Sequence, residues 1–283
     1  IATNQIGILF APMDDSALAT DIVRQIESTV DVVLSKNNLR SEVGFRRVYP
    51  ISSFEQAERL ATSLNANIIV WERQVAGVPV IHEWHVSVMG ADETLVDPDE
   101  ESLLCFLLTQ GDIVIQTSTG IENDADMLLT VGEIASGFAA LAAGDPVLAA
   151  SEFHYAYESE LLPEMAAEAI QGYRGMALLY ADRADLAVEE FTALDTAYAW
   201  TGQACISMYG RDWTAAQDNL ERAVARDPYF APAYCGLGVV SARLLDTTSA
   251  LSAYDEAIAL EPNWGVPHAL KAMTYELLGD SES

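Results

Sequence analysis

Ala250-Leu-Ser-Ala-Tyr-Asp-Glu-Ala-Ile-Ala-Leu-Glu-Pro262 places small Ala250, aromatic Tyr254, small Ala257 and Pro262 at steps of four, three and five. The stretch before it repeats the steps with Ala216, Leu220, Ala223 and Pro228. Equivalent residues stand 34 apart: Ala216 and Ala250, Ala223 and Ala257, Pro228 and Pro262. Further back come Ala187, Phe191 and Leu194, and before them Ala149, Phe153 and Ala156. Steps of three and four put these residues on one helix face. A proline cannot continue a helix, so Pro228 and Pro262 mark helix ends. A single helical hairpin cannot bury its apolar stripe alone, so a fixed stride of this kind predicts hairpins stacked side by side.

The pattern resembles the tetratricopeptide repeat (TPR), whose first helix carries an aromatic and Leu-Gly, and whose second carries Ala, an aromatic, Ala and a closing Pro. One unit reads Tyr234, Leu237, Gly238, Ala250, Tyr254, Ala257 and Pro262; the unit before it keeps Trp200, Ala204, Asp212-Trp213, Ala216, Leu220, Ala223 and Pro228. The first keeps Gly137, Gly144-Asp145, Ala149, Phe153 and Ala156, and the second only Gly175, Ala187 and Phe191. The resemblance implies an all-α TPR superhelix over residues 130–283. Its units would be 130–163, 168–196, 197–230 and 231–264, with a partial unit 265–283 whose Gly279-Asp280 would be a turn. The chain is then expected either to continue past Ser283 or to use its last helix as a cap. The signature residues themselves are expected to be packing residues.

Family geometry lines the concave side with first-helix positions. On this chain they are Phe138, Met176, Tyr180, Tyr198, Met208, Tyr209, Val239, Arg243 and Met273, together with Thr201, Cys205 and Cys235. The set is apolar and aromatic with one cation. Relatives that clamp a terminal carboxylate use several Lys, Arg and Asn there, so that mode is disfavoured. An extended or helical apolar segment suits the surface better, or else the same residues pack on the chain's other domain or a sister subunit. Cys205 and Cys235 would sit on neighbouring helices, where a bridge needs Cα atoms within about 7 Å.

Residues 1–120 read differently, with 121–129 as a linker. Ile6 to Phe10 is a buried strand and Ser16 to Lys36 an amphipathic helix that Ser16 or Asp15 can cap. Val43 to Tyr49 is a strand, Ser53 to Leu64 a helix, and Ala66 to Trp71 a buried strand. Ala76-Gly77 turns into Val80 to Val88, and Asp112 to Gln116 forms a last strand. The order βαβαββ predicts an α/β domain with a mixed, partly parallel sheet. Ile-Gly-Ile-Leu-Phe at the start and Ala-Asn-Ile-Ile-Val-Trp after the second helix are similar to TolB-like amino-terminal domains. Related domains occur in curli-secretion-type envelope lipoproteins. That likeness tilts the expected location towards the bacterial envelope and implies no catalytic residues. Because the sequence begins at Ile1, a processing boundary is expected there, with any signal peptide or anchor upstream.

The chain holds 43 acids against 14 bases, a net charge of −29. Such a field repels nucleic acid and anionic membranes and favours basic partners or cations. Solubility or adaptation to a salty medium is the favoured account, and lysine at only Lys36 and Lys271 fits the salty medium. No run of 18 apolar residues is present. Three distant cysteines, Cys105, Cys205 and Cys235, make neither a disulfide framework nor a zinc site and read as buried thiols.

Phosphate loops, nucleophile elbows and HExxH are absent. In His82-Glu83-Trp84-His85, strand alternation puts the two histidines on opposite faces, so an ordinary half-exposed strand is expected rather than a metal site. His154 and His268 read as packing or surface residues. The acidic run Asp92 to Glu101 lacks the pattern of a calcium loop and reads as solvated. No catalytic residue, metal or cofactor is expected. The leading reading is a non-catalytic scaffold or adaptor that binds protein partners, basic or bearing an apolar segment. A structural subunit of a homo- or hetero-oligomeric envelope or extracellular assembly is a second reading. A ligand-sensing α/β domain coupled to the repeats is a third; it requires a pocket near Phe10 to Asp15 and Val70 to Glu72.

Overall fold

The computed structural model describes residues 5–12, 14, 16–75, 81–88, 111–117, 125–159, 161–262 and 264–281. Those up to Asp182 form one compact unit and those from Arg183 a second.

The first unit opens with β1 (Ile6–Ala11), α1 (Ala17–Lys36), β2 (Val43–Arg47), α2 (Phe54–Leu64), β3 (Ile68–Val75), β4 (Ile81–Val88) and β5 (Gly111–Thr117). The strands form one sheet in the order β2-β1-β3-β4-β5. β1 runs parallel to β2 and β3, and β4 antiparallel to β3 and β5. Helical crossovers through α1 and α2 allow the parallel pairs. Ser16 caps α1 by accepting from the Ala19 amide at 3.1 Å, and Ser53 caps α2 by accepting from Gln56 N at 3.2 Å. α2 ends at Asn65, in the left-handed region at φ 51°.

Alternation along the strands makes two cores. Leu9, Ala11, Ile69 and Trp71 cluster with Ala57 and Ala61 of α2. Ile8, Phe10, Ile68 and Val70, all buried, point the other way. There α1 packs beside α3 (Ala125–Ala142), which also contacts β1, β3 and β4. A Cβ on Gly132 of α3 would stand 2.7 Å from Thr29 of α1, so glycine sets this close approach. Residues 125–129, expected in a linker, are therefore the first turns of a helix that belongs to the α/β unit. α3 is also long and apolar enough to cross a membrane, and 67% of that span is buried inside the unit. α4 (Pro146–Glu158) and α5 (Glu164–Tyr180) follow. Phe138 of α3 meets Phe153 at 5.1 Å and Tyr173 at 4.8 Å between ring centroids, both edge-on.

The expected half-exposed strand at His82 to His85 is corrected. Glu83, Trp84 and His85 are all buried. His85 stacks on Trp71 at 3.9 Å, Trp71 Nε1 donates to Ser87 Oγ at 3.0 Å, and Glu83 accepts from Arg73 Nε at 2.6 Å. Packing of β4 against the sheet encloses these residues where composition alone suggested solvent. The acidic run Asp92 to Glu101, the apolar stretch Leu103 to Leu108, Cys105 and the Ala76-Gly77 turn lie outside the described residues.

The second unit comprises α6 (Ala184–Thr192), α7 (Ala197–Tyr209), α8 (Trp213–Arg226), α9 (Ala231–Arg243), α10 (Thr247–Leu260) and α11 (Gly265–Ser281). α8 and α10 stop two residues before Pro228 and Pro262, as those prolines require. α11 continues through Gly279 and Asp280, where a turn was expected.

One turn recurs along the helices. Gly144, Asp182, Arg211 and Leu245 all have positive φ, and the next residue is the N-cap of a helix. That next residue is aspartate three times. Asp145, Asp212 and Asp246 accept from the amides of Leu148, Ala215 and Ser249 at 3.0, 3.0 and 3.1 Å. A left-handed residue reverses the chain, and the aspartate satisfies an orphan amide of the next helix. The turns at Arg211 and Leu245 stand 34 residues apart, those at Gly144 and Asp182 38, and those at Asp182 and Arg211 29. The weakly patterned repeat at 168–196 thus reflects an uneven spacing around one stride.

Candidate partner-binding surface

Packing within the second unit places first helices beside one another: α7 contacts α9, and α9 contacts α11. Small residues against aromatic rings hold the hairpins together. A Cβ on Gly238 of α9 would stand 2.3 Å from the Tyr254 ring of α10, and one on Gly202 of α7 would stand 2.5 Å from the Phe191 ring of α6. The first unit repeats the device, with Gly137 of α3 at 2.6 Å from Phe153 of α4. Ala216, Leu220, Ala223, Ala250, Tyr254 and Ala257 are all fully or almost fully buried. The signature residues are architecture.

The anticipated groove residues divide by burial. Phe138, Met176, Met208 and Val239 are at most 2% exposed, which makes them core side chains rather than a contact surface. Thr201, Cys205 and Cys235 are buried as well. Both cysteines are free thiols, so the bridge between them is not formed, and burial pushes the Cys235 thiol far above its ordinary range. Tyr180, Tyr198 and Met273 are half-buried, Arg243 is exposed, and Tyr209 is 47% exposed. Of these, Tyr198 and Tyr209 on α7, Arg243 on α9 and Met273 on α11 share the second unit; Phe138, Met176 and Tyr180 belong to the first. The positional rule selected a helix face but not the depth of each side chain within it.

The charges around this face are arranged by helix. α7 has no charged residue, and α9 has only Arg243. Acids sit on the second helices: Asp218 and Glu221 on α8, Asp255 and Glu256 on α10, all exposed. Arg222 lies 4.9 Å over the Trp200 ring, and the Trp200 indole donates to Asp195 at 3.0 Å. Asp255 pairs with Lys271. From Arg183 onward the sequence holds 15 acids and 6 bases. α7 and α9 thus carry one charge between them, while exposed acids sit on α8 and α10.

A second concavity lies in the first unit, at the carboxyl ends of β1 and β3. It encloses about 550 Å³ and is lined by Asp14, Ile51, Ser52, Glu72, Arg73, Gln74 and Val75. Strand ends near Phe10 to Asp15 and Val70 to Glu72 were anticipated from the sequence. Ile51, Ser52 and the last residues of β3 were not, because only the fold brings the β2–α2 connection to that edge. Among the described residues no three His, Cys, Asp or Glu side chains cluster as metal ligands.

Paired helices at a stride near 34 residues, glycine-on-aromatic packing and recurrent left-handed turns define helical hairpin repeats, in a chain that begins with a small α/β sheet domain. Among solved structures, the crystal structure of MamA is similar at 20% sequence identity and TM-score 0.38, over 50% of this chain and 84% of that one. YrrB, described as a TPR protein with an unusual peptide-binding site, is similar at 17% identity and TM-score 0.36, over 53% of this chain and 78% of that one. No family model matches the sequence, and no curated protein matches it.

Proposed function

We propose that the protein is a non-catalytic interaction scaffold whose second unit binds a partner segment with apolar residues and flanking basic ones. The carrying observation is the face of α7 and α9, whose one charge is Arg243, with Tyr198 and Tyr209 partly open to solvent and exposed acids on α8 and α10. Aromatic side chains give large contact area at small entropic cost. These acids steer a basic segment towards that face and raise its on-rate at low salt. Arg243 supplies one fixed cation, which orients the partner by meeting an acidic or carbonyl group.

Fluorescence anisotropy against a peptide library varied in charge and apolar content tests this reading. Basic amphipathic peptides bind, acidic ones do not, and Tyr209→Glu weakens binding about tenfold or more, the loss of roughly 1.4 kcal/mol. Equal affinity for acidic and basic peptides, or an unaltered affinity in Tyr209→Glu, overturns it. A structural-subunit role predicts instead a stable oligomer in dilute solution, which sizing chromatography with light scattering distinguishes.

A further inference from the structure

We propose that the outer edge of β2 takes an added strand from a partner protein, an extended segment that carries acidic side chains. The sheet order puts β2 at one edge and β5 at the other. α5 packs against β5, whereas the outer side of β2 has no strand beside it. The Val48 amide donates to the Phe10 carbonyl at 3.0 Å, and Phe10 lies opposite Arg47. In a parallel ladder this register turns the N–H and C=O of Gly44 and Arg46 towards β1 and those of Phe45 and Arg47 outward. Among the described residues nothing takes these four outward groups. Arg40 Nη1 donates to the Val43 carbonyl at 2.7 Å, which sets the upstream limit of the open edge. A row of open main-chain groups is a template for another strand.

The side chains decide which strand fits. Residues 36–47 hold four bases and one acid, in a chain of net charge −29. Three of those bases are matched: Lys36 acts on Glu152, Arg40 pairs with Asp31, and Arg47 donates to Glu27 at 2.6 Å. Arg46 is exposed and has no acid partner among the described residues. Tyr49, two residues past β2, is 84% exposed. Arg and Tyr are the side chains that protein contacts favour. A second copy of β2 would bring the arginines of both copies together, and like charges facing across strands are destabilising. A basic strand meets the same repulsion. A strand with Asp or Glu beside Arg46 gains an ion pair together with its main-chain hydrogen bonds. At physiological salt, charges beyond about 8 Å are screened, so Arg46 counts for more than the acidity of the distant surface. The edge belongs to the first unit, so it does not rest on peptide docking by the second.

Titration of the full chain with a labelled peptide of alternating Glu and Val, about six residues long, tests the proposal. Anisotropy reads the affinity, and amide hydrogen exchange by NMR reads the place. Two controls are a Lys-Val peptide and a Glu-Pro peptide, whose prolines cannot donate to a ladder. The expected result is saturable one-to-one binding of the Glu-Val peptide at physiological salt, with exchange of the Phe45 and Arg47 amides slowed about tenfold or more. Arg46→Glu weakens binding about tenfold or more, and Arg211→Glu, the same charge change in the second unit, leaves it unchanged. Arg47→Pro removes an outward N–H and abolishes binding, while Arg47→Ala, which loses the same ion pair, keeps it. Where circular dichroism shows Arg47→Pro unfolded, Arg46→Glu and the exchange pattern decide the matter. Absence of saturable binding, either control peptide binding as well, equal weakening by Arg46→Glu and Arg211→Glu, or unslowed Phe45 and Arg47 amides each overturns the proposal. So does equal loss in Arg47→Pro and Arg47→Ala. A dimer that Arg47→Pro dissociates would assign the edge to a second copy and overturn it too.

Discussion

Gly238 lies flat against the ring of Tyr254, so close that a Cβ on the glycine would stand 2.3 Å from Cε1 of the ring. The two are 16 residues apart, as are Gly137 and Phe153, which make the same contact in the first unit. At Phe191 the order reverses within the second unit: Gly202, from the helix that follows, meets the ring. The contact is a property of the packing, and neighbouring helices can supply its small partner.

Gly238→Ala is expected to destabilise the second unit by about 1–3 kcal/mol, the usual cost of forcing a methyl into a filled core. Urea unfolding followed by circular dichroism measures it. Replacing the ring makes room, so Gly238→Ala combined with Tyr254→Leu loses less than the two single losses summed. Strict additivity would show that the glycine is there for another reason.

Leu245 occupies a left-handed turn at φ 64° and is 88% exposed. Gly144 holds the equivalent place in the first unit at φ 76°. A branched side chain with positive φ is strained, and this one has little packing to lose. Leu245→Gly is expected to stabilise the chain by about 0.5–1 kcal/mol. Thermal unfolding reads the gain as a higher Tm, and a lowered Tm contradicts it.

Glu133 on α3 and Glu152 on α4 both titrate near pH 7. Burial is the main cause for each; the charge of Glu152 raises Glu133 further, while Lys36 pulls Glu152 back. In the unfolded chain both titrate near 4.5. Between those values the folded state holds more protons than the unfolded one. Their contribution to stability is therefore present at low pH and lost as pH rises through 7, after which the curve is flat. With allowance for solvent screening, the loss is about 1–2 kcal/mol. Glu152→Gln should raise Tm above neutrality and flatten the pH dependence relative to the unaltered chain. An identical slope in both proteins would rule the pair out as its source.

Cys205 and Cys235 are buried free thiols, and desolvation keeps Cys235 protonated at neutral pH. Iodoacetamide should leave both unmodified in the native protein and label them in denaturant, as peptide mass spectrometry can read. Rapid native labelling of Cys235 would mean that α9 opens readily.

The helix and strand order was legible because each segment carries its own period. Ile6 to Phe10 and Ala66 to Trp71 are apolar runs too short for helices, and Ser16 and Ser53 announce the two helices that they cap. Asp212 and Asp246 cap the helices that follow two hairpin turns in the same way. Such signals depend on a residue and its near neighbours, so no tertiary information is needed to read them. The surface expected to bind was less legible. Repeat positions gave Val239 and Arg243 the same role, and one is fully buried while the other is exposed. Depth depends on which helix lies alongside.

By itself the sequence determined the alternation of strands and helices, the stride of the hairpins and the acidity of their surface, because periodicity, capping and charge are written locally. Only the tertiary structure decided that α3 packs on α1 and the sheet, that Glu83 and His85 are enclosed with Arg73 and Trp71, and that Ser52 joins Asp14 and Glu72 around one cleft. The physical reason is that burial and charge neutralisation arise from residues distant in the chain, and proximity is created only when the elements pack.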